Sequence, residues 1–129
     1  GIALLGRQSL LVQDEFALHT TGQAWWFVNT RAEVTVAEDG RSAILDQGGV
    51  RLTVHMIEPI AARFQVMPSQ PFDSSPNPPN QNPNQGVRKL AIHLEGVDSG
   101  RIVVQMIPQT EDAELSVMGK TGVLPLSQW

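Results

Sequence analysis

The chain has 129 residues, with nine basic and thirteen acidic side chains and a formal net charge of −4. This length suits one domain with a real core, and the lack of a basic patch argues against a nucleic acid partner. There is no cysteine, which excludes disulfides and cysteine-ligated metal, and no apolar run approaches the ~20 residues that a membrane-spanning helix needs.

The first part of the chain predicts strands. Ile2 to Leu5 and Ser9 to Phe16 are strand-like, and His19 to Gln23 is a polar connection that contains glycine. The run from Ala24 to Thr30 is strand-like and apolar on both faces, so we expect it to be covered on both sides.

The stretch from Thr30 to Pro59 has the clearest pattern. Three runs alternate apolar and polar residues, and they are separated by Asp39-Gly40 and Gln47-Gly48. Asp-Gly between such runs is a strong hairpin signal, because a type I′ turn needs positive φ at both central residues. The stretch therefore predicts a β-meander with one wet and one dry face; the dry face of its third run carries Val50, Leu52, Val54 and Met56.

Residues 68–86 break this alternation. They hold six of the nine prolines and four of the five asparagines, and proline cannot complete a sheet ladder. We predict a long loop, either a mobile surface excursion or a lid that packs on a partner. Phe72 is expected to pin its first half, whereas Pro76 to Gln85 has no such anchor and is expected to be more mobile.

The rest of the chain predicts further strands at Arg88 to Leu94, Arg101 to Ile107 and Glu114 to Met118, with a turn from Gly96 to Gly100. The total is about nine or ten strands with no credible helix. This pattern is typical of an all-β antiparallel sandwich or jelly roll, here a single domain over residues 1–129. Because the chain begins with Gly1, we expect it to be a piece of a longer protein.

Few residues suggest chemistry. His55 and His93 fall on polar strand faces, and His19 lies near two carboxylates without a recognised ligand spacing. Neighbouring carboxylates on a strand point to opposite faces and so do not flank one glycosidic bond; the pairs are Asp14-Glu15, Glu38-Asp39 and Glu111-Asp112. We predict no catalytic, cofactor-binding or metal-binding residue.

The aromatic run offers the one candidate binding surface. Trp25 and Phe27 share a face, with Trp26 on the other, and Trp129 lies at the end of the chain. Aromatic rings of this kind can stack on sugars, so Trp25, Trp26 and Trp129 are possible carbohydrate contacts. The alternative is that Trp25 and Trp26 belong to the core.

The order of motifs resembles the C-terminal β region of the heparinase II/III-like polysaccharide lyases, over residues 8–108. The motifs, in order, are Leu-Val-Gln-Asp-Glu-Phe16, Ala-Trp-Trp-Phe-Val-Asn-Thr-Arg-Ala32, the Asp-Gly hairpin, Gly-Gly-Val-Arg-Leu-Thr-Val-His-Met-Ile-Glu-Pro59, Ala-Arg-Phe64, Arg-Lys-Leu-Ala-Ile-His-Leu94 and Ile-Val-Val-Gln-Met-Ile-Pro108.

The resemblance implies an α/α toroid upstream that cleaves uronic-acid polysaccharides by β-elimination, in a bacterial periplasmic or secreted protein. The family's catalytic His and Tyr would lie in that upstream part. This chain has no Tyr, and Asn29 stands where many relatives carry a His. No catalytic residue is therefore carried over, and the chain by itself is not expected to be an enzyme.

Two functions follow from these observations. The first is a non-catalytic accessory β-sandwich that supports the catalytic toroid domain of the same parent chain, which acts on an acidic polysaccharide. The second is an independent carbohydrate-binding module that uses its aromatic residues. An exposed aromatic row would favour the second function, and buried Trp25 and Trp26 would favour the first.

Overall fold

The computed structural model describes residues 1–76, 78–82, 84–110, 117–119 and 122–129. Over these residues the chain forms one antiparallel sheet of seven strands in the order β1-β2-β7-β5-β4-β3, with β6 also paired to β7. The strands are β1 (Ile2–Leu5), β2 (Ser9–Thr30), β3 (Glu33–Val36), β4 (Ser42–Gln47), β5 (Val50–Glu58), β6 (Phe64–Pro68) and β7 (Arg88–Pro108). A 3₁₀ turn spans Leu126–Gln128, and no helix among the described residues is long and apolar enough to cross a membrane.

The all-β antiparallel prediction is confirmed, but two predicted breaks are wrong. The connection from His19 to Gln23 and the turn from Gly96 to Gly100 both lie inside strands, because β2 and β7 pair along almost their whole length. Within the predicted connection, the pairing register of β2 with β7 shifts between Ala17 and Gln23. Cross-strand pairing here overrides the local turn signals, so four predicted strands merge into two long ones.

Both halves of β7 contribute to one core, so the sheet must bend back on itself. Leu90 and Ile92 come from the first half and Ile102 and Val104 from the second, and all four belong to the same buried cluster. The alternation of the sequence along these two segments predicts that these four residues face inward, and the structure confirms it. Gly96 lies between the halves with φ of +65°, a conformation that glycine adopts without the Cβ clash of other residues.

The predicted meander is confirmed as β3-β4-β5. The predicted type I′ turn at Asp39-Gly40 is wrong, because Gly40 has positive φ and Asp39 does not. The second turn lies one residue later than the predicted Gln47-Gly48, because Gln47 pairs with Val50. Gly48 and Gly49 form it with φ of +62° and +85°, as a type I′ hairpin requires. At the first turn, a Cβ on Gly40 would lie 2.8 Å from the Arg63 Cβ, so a larger residue would displace the chain just before β6.

The expectation of one wet face for β5 is wrong from Thr53 onward. Thr53 and Ile57 are buried on the predicted wet side. Ile57 joins Leu11, Val103 and Val123 in a second apolar cluster, against which Met118 packs. The C-terminal segment thus covers this part of the outer face. The predicted strand from Glu114 to Met118, like the Glu111-Asp112 pair, lies mostly or wholly outside the described residues.

Candidate functional site

An aromatic cluster lies on the outer face of the paired strands β2 and β7. Trp25 and Phe27 project to the same side of β2, and His93 is the register partner of Trp25 on β7. The Trp25 and His93 rings stack with centroids 3.7 Å apart at 9°, and Trp25 and Phe27 with centroids 5.7 Å apart at 19°. The period-two alternation of the strands places these rings together.

Phe72 brings the loop after β6 onto this cluster. Its ring centroid lies 5.0 Å from that of Trp25 and 5.7 Å from that of Phe27. The ammonium of Lys89, a buried residue, lies 4.9 Å from the Phe27 centroid and 4.8 Å from that of Phe72, and donates a 2.8 Å hydrogen bond to the Gln70 carbonyl. The prediction that Phe72 pins the first half of the loop is confirmed.

The base of the loop is also fastened by polar contacts. The Ser69 hydroxyl donates to Asn29 Oδ1 at 2.6 Å, and Asn84 Nδ2 donates to the Ser69 carbonyl at 3.3 Å. The Val87 N–H then donates to the Asn84 carbonyl at 3.0 Å. Among the described residues of Pro76 to Gln85 no apolar side chain anchors the loop, but the Asn84 side chain adds a polar contact at its end that the sequence did not predict.

Between the Phe72 contacts and the hydrogen bonds of Asn84, the loop surrounds a cleft of about 480 Å³. We call it the loop cleft; its described lining is Gln70, Pro71, Asp73, Pro78, Pro79, Asn80, Gln81 and Asn82. Amide groups both donate and accept hydrogen bonds, and this volume lies within the usual range for a small-ligand site. The lining suits a hydroxyl-rich ligand and contains no nucleophile paired with a base.

The three tryptophans predicted as sugar contacts do not form one surface. Trp25 belongs to the outer aromatic cluster, whereas Trp26 packs on the inner core and donates from Nε1 to Asp14 Oδ2 at 3.0 Å. Trp129 lies against Gly1 and donates to the Leu124 carbonyl at 3.1 Å. Both Trp25 and Trp26 are half-buried, so neither the exposed row nor the fully buried pair is observed.

Two carboxylates near the sheet, Glu15 from the candidate pairs and Glu58, are held in structural contacts. Glu15 accepts hydrogen bonds from Gln13 Nε2 and the Leu126 N–H. Glu58 is buried and pairs with Arg101 through two 2.7 Å contacts, which favour the charged guanidinium and raise the pKa of Arg101. Within the described ranges, no three His, Cys, Asp or Glu residues lie close enough to hold a metal ion.

The histidines occupy separate environments. His93 Nε2 lies 2.9 Å from Gln23 Oε1, while His55 lies on β5 beside the other half of β7. Burial lowers the pKa of His55, and the charge of Asp39 partly opposes this shift. The structure therefore does not bring His55 and His93 together, although their strands are neighbours.

Sequence reasoning missed the roles of Lys89 and His93. The sequence predicts a polar strand face for His93 and does not single out Lys89, yet Lys89 is buried under the loop and His93 is stacked on Trp25. The neighbouring aromatic run could have indicated these roles, because the apolar rings on its outer face are expected to be covered by other residues.

Comparison of the chain with models of known protein families and with curated proteins finds no match. The lyase resemblance accordingly stays a prediction.

Proposed function

We propose that the chain is a non-catalytic accessory β domain of a heparinase II/III-like polysaccharide lyase, in which the bent sheet acts as the β-sandwich layer that supports the catalytic toroid. The parent would act on an acidic polysaccharide outside the cytoplasm. The motif order along the strands supports this proposal, as does the use of Glu15, Glu58 and Asp14 in contacts within the fold.

The main observation in favour of a role in supporting the catalytic domain is an open apolar groove at the β1 end of the sheet. Leu4, Leu10, Leu52, Met106 and Pro108 contribute to its lining, and its volume is about 200 Å³. Leu4 is 66% exposed, and Ile2, two residues earlier on the same face, is 71% exposed. Two exposed apolar side chains beside an apolar groove suit a docking surface, and we assign it to the neighbouring domain of the parent chain.

The test compares the isolated chain with the parent protein. Leu4→Asp should leave the melting temperature of the isolated chain nearly unchanged, because the side chain is already exposed, but should lower that of the parent. Ile44→Asp is the matched control, since Ile44 is also exposed but lies away from the groove. If the parent tolerates Leu4→Asp as well as it tolerates Ile44→Asp, the docking role is wrong. If no helical toroid is encoded upstream, the lyase assignment is wrong.

Lyase activity provides a second check on the same proposal. The isolated chain, incubated with heparan sulfate, hyaluronan and alginate, should yield no unsaturated product by absorbance. Turnover that persists in a highly purified sample, and survives replacement of each histidine, would contradict the non-catalytic assignment.

A second candidate is carbohydrate binding, which the loop cleft and the adjacent Trp25 favour. Because Asp73 is the charged residue among the described lining, the cleft suits a neutral glycan better than a polyanion. Titration calorimetry with neutral and acidic oligosaccharides distinguishes the candidates. Binding that Asn80→Ala and Gln81→Ala weaken would favour this function, whereas binding unaffected by both would exclude the cleft.

A further inference from the structure

None of the described strands pairs with the outer edge of the second half of β2. β7 pairs with one edge of β2, whereas β1 covers the other edge only from Ser9 to Val12. From Gly22 to Thr30, the backbone N–H and C=O groups that point away from β7 therefore have no ladder partner among the described strands. We call this stretch the β2 edge. Such a row of unpaired groups is a template for another extended strand.

The β2 edge also lacks the features that usually protect an open edge. Its sequence, Gly-Gln-Ala-Trp-Trp-Phe-Val-Asn-Thr, contains no charged residue and no proline. The other open edges in the described part of the chain differ. β1, β3 and β6 have only four or five residues, residues 13–21 of β2 carry Asp14 and Glu15, and the middle of β7 carries Glu95, Asp98 and Arg101. Short strands and charges are the normal means of preventing strand addition.

The side chains of the β2 edge are suited to a partner of the same sequence. Trp25 and Phe27 are half-buried on one face, and Trp26 and Val28 are half-buried on the other, so an added strand would cover more of both faces. Two copies related by a two-fold axis pair as antiparallel strands, and such an interface is self-complementary. With no charge between Gly22 and Thr30, no like charges would be opposed.

We propose that the β2 edge is a homodimer interface, in which a second copy of this chain pairs antiparallel through the same residues and the sheet continues across both subunits. This inference does not depend on the lyase assignment, because it follows from backbone hydrogen bonding and from the composition of one strand.

Sedimentation velocity and amide hydrogen exchange, measured on the whole chain over a concentration series, test the proposal. We expect a concentration-dependent dimer, with alternate amides of the β2 edge gaining protection only at concentrations where the dimer forms. A chain that stays monomeric up to ~1 mM would overturn the proposal. A dimer in which these amides exchange as fast as in the monomer would also overturn it, since another surface would then form the interface.

A pair of charge variants adds a test that mutates the edge directly. Gln23→Lys combined with Asn29→Lys places cations at both ends of the β2 edge and should raise the dimer dissociation constant at least ~10-fold. The control, Ile44→Lys combined with Gln47→Lys, adds the same charge to exposed positions of β4, which pairs with strands on both sides. Thermal melting checks that both variants fold. Equal dissociation constants for two folded variants would contradict the proposal.

Discussion

Replacing Phe72 by alanine tests whether the aromatic cluster holds the long loop in place. The phenyl ring contacts Trp25 and Phe27, and the Lys89 ammonium lies over it. Alanine removes all three contacts at once and exposes the Lys89 side chain to water. The strands beneath the cluster keep their hydrogen bonds, so the effect should be confined to the loop and the rings below it.

The magnitude follows from these contacts. Each aromatic pair contributes about 0.5–1.5 kcal/mol beyond its area burial, and a cation–π contact about 0.5–1 kcal/mol at an exposed site. Because Phe72 is only half-buried, its hydrophobic transfer contributes about 1 kcal/mol, and the freed loop regains conformational entropy that offsets part of the loss. We therefore expect Phe72→Ala to lower the free energy of unfolding by about 2 kcal/mol.

Urea denaturation followed by tryptophan fluorescence measures this change. Phe72→Leu keeps an apolar side chain without a π-system, so it should lose about half as much stability. Deleting Pro78 to Asn82 should cost less than about 1 kcal/mol, because it spares both Phe72 and the Asn84 contact with Ser69. A Phe72→Ala variant within about 0.5 kcal/mol of the wild type would refute the anchoring role. A deletion that costs more than about 2 kcal/mol would show that the removed segment is packed structure.

The remaining predictions concern the core and the ionisable groups. Trp26→Ala should cost roughly 3 kcal/mol, and Trp26→Phe only about 1 kcal/mol, because the phenyl ring loses mainly the hydrogen bond to Asp14. Both values are measured by urea denaturation, and unchanged stability in Trp26→Ala would show that the indole is not core. Arg101→Met should cost about 2 kcal/mol or more, because it breaks the contact with buried Glu58; a more stable variant by the same assay would contradict this. Burial lowers the pKa of His55 in the folded chain. Below about pH 6.5 the unfolded chain therefore binds more protons than the folded chain, and the free energy of unfolding decreases as the pH is lowered. Melting temperatures between about pH 7.5 and 5.5 should therefore decline, and His55→Gln should lessen the decline; an identical decline in this variant would assign the effect to other groups.

The sequence determined the strand class, the meander and most inward positions. Alternation with period two places Leu90, Ile92, Ile102 and Val104 on one face whatever the strand order, because successive side chains of a strand point to opposite faces. The two glycines at 48 and 49 specify a tight turn through their backbone freedom. The composition of the loop, with its single large apolar residue, likewise identified Phe72 as the anchor.

Only the tertiary structure decided which strands pair and what the outer faces contact. The turn signals at 19–23 and 96–100 are local, whereas the β2–β7 ladder joins residues up to about 96 positions apart, such as Leu10 and Met106. Periodicity gives the face of a residue but not the strand beside it. Three features therefore depend on the pairing of β2 with β7, which is visible only in the folded chain. They are the stacking of His93 on Trp25, the burial of Lys89 beneath Phe72, and the edge from Gly22 to Thr30 that no described strand pairs with.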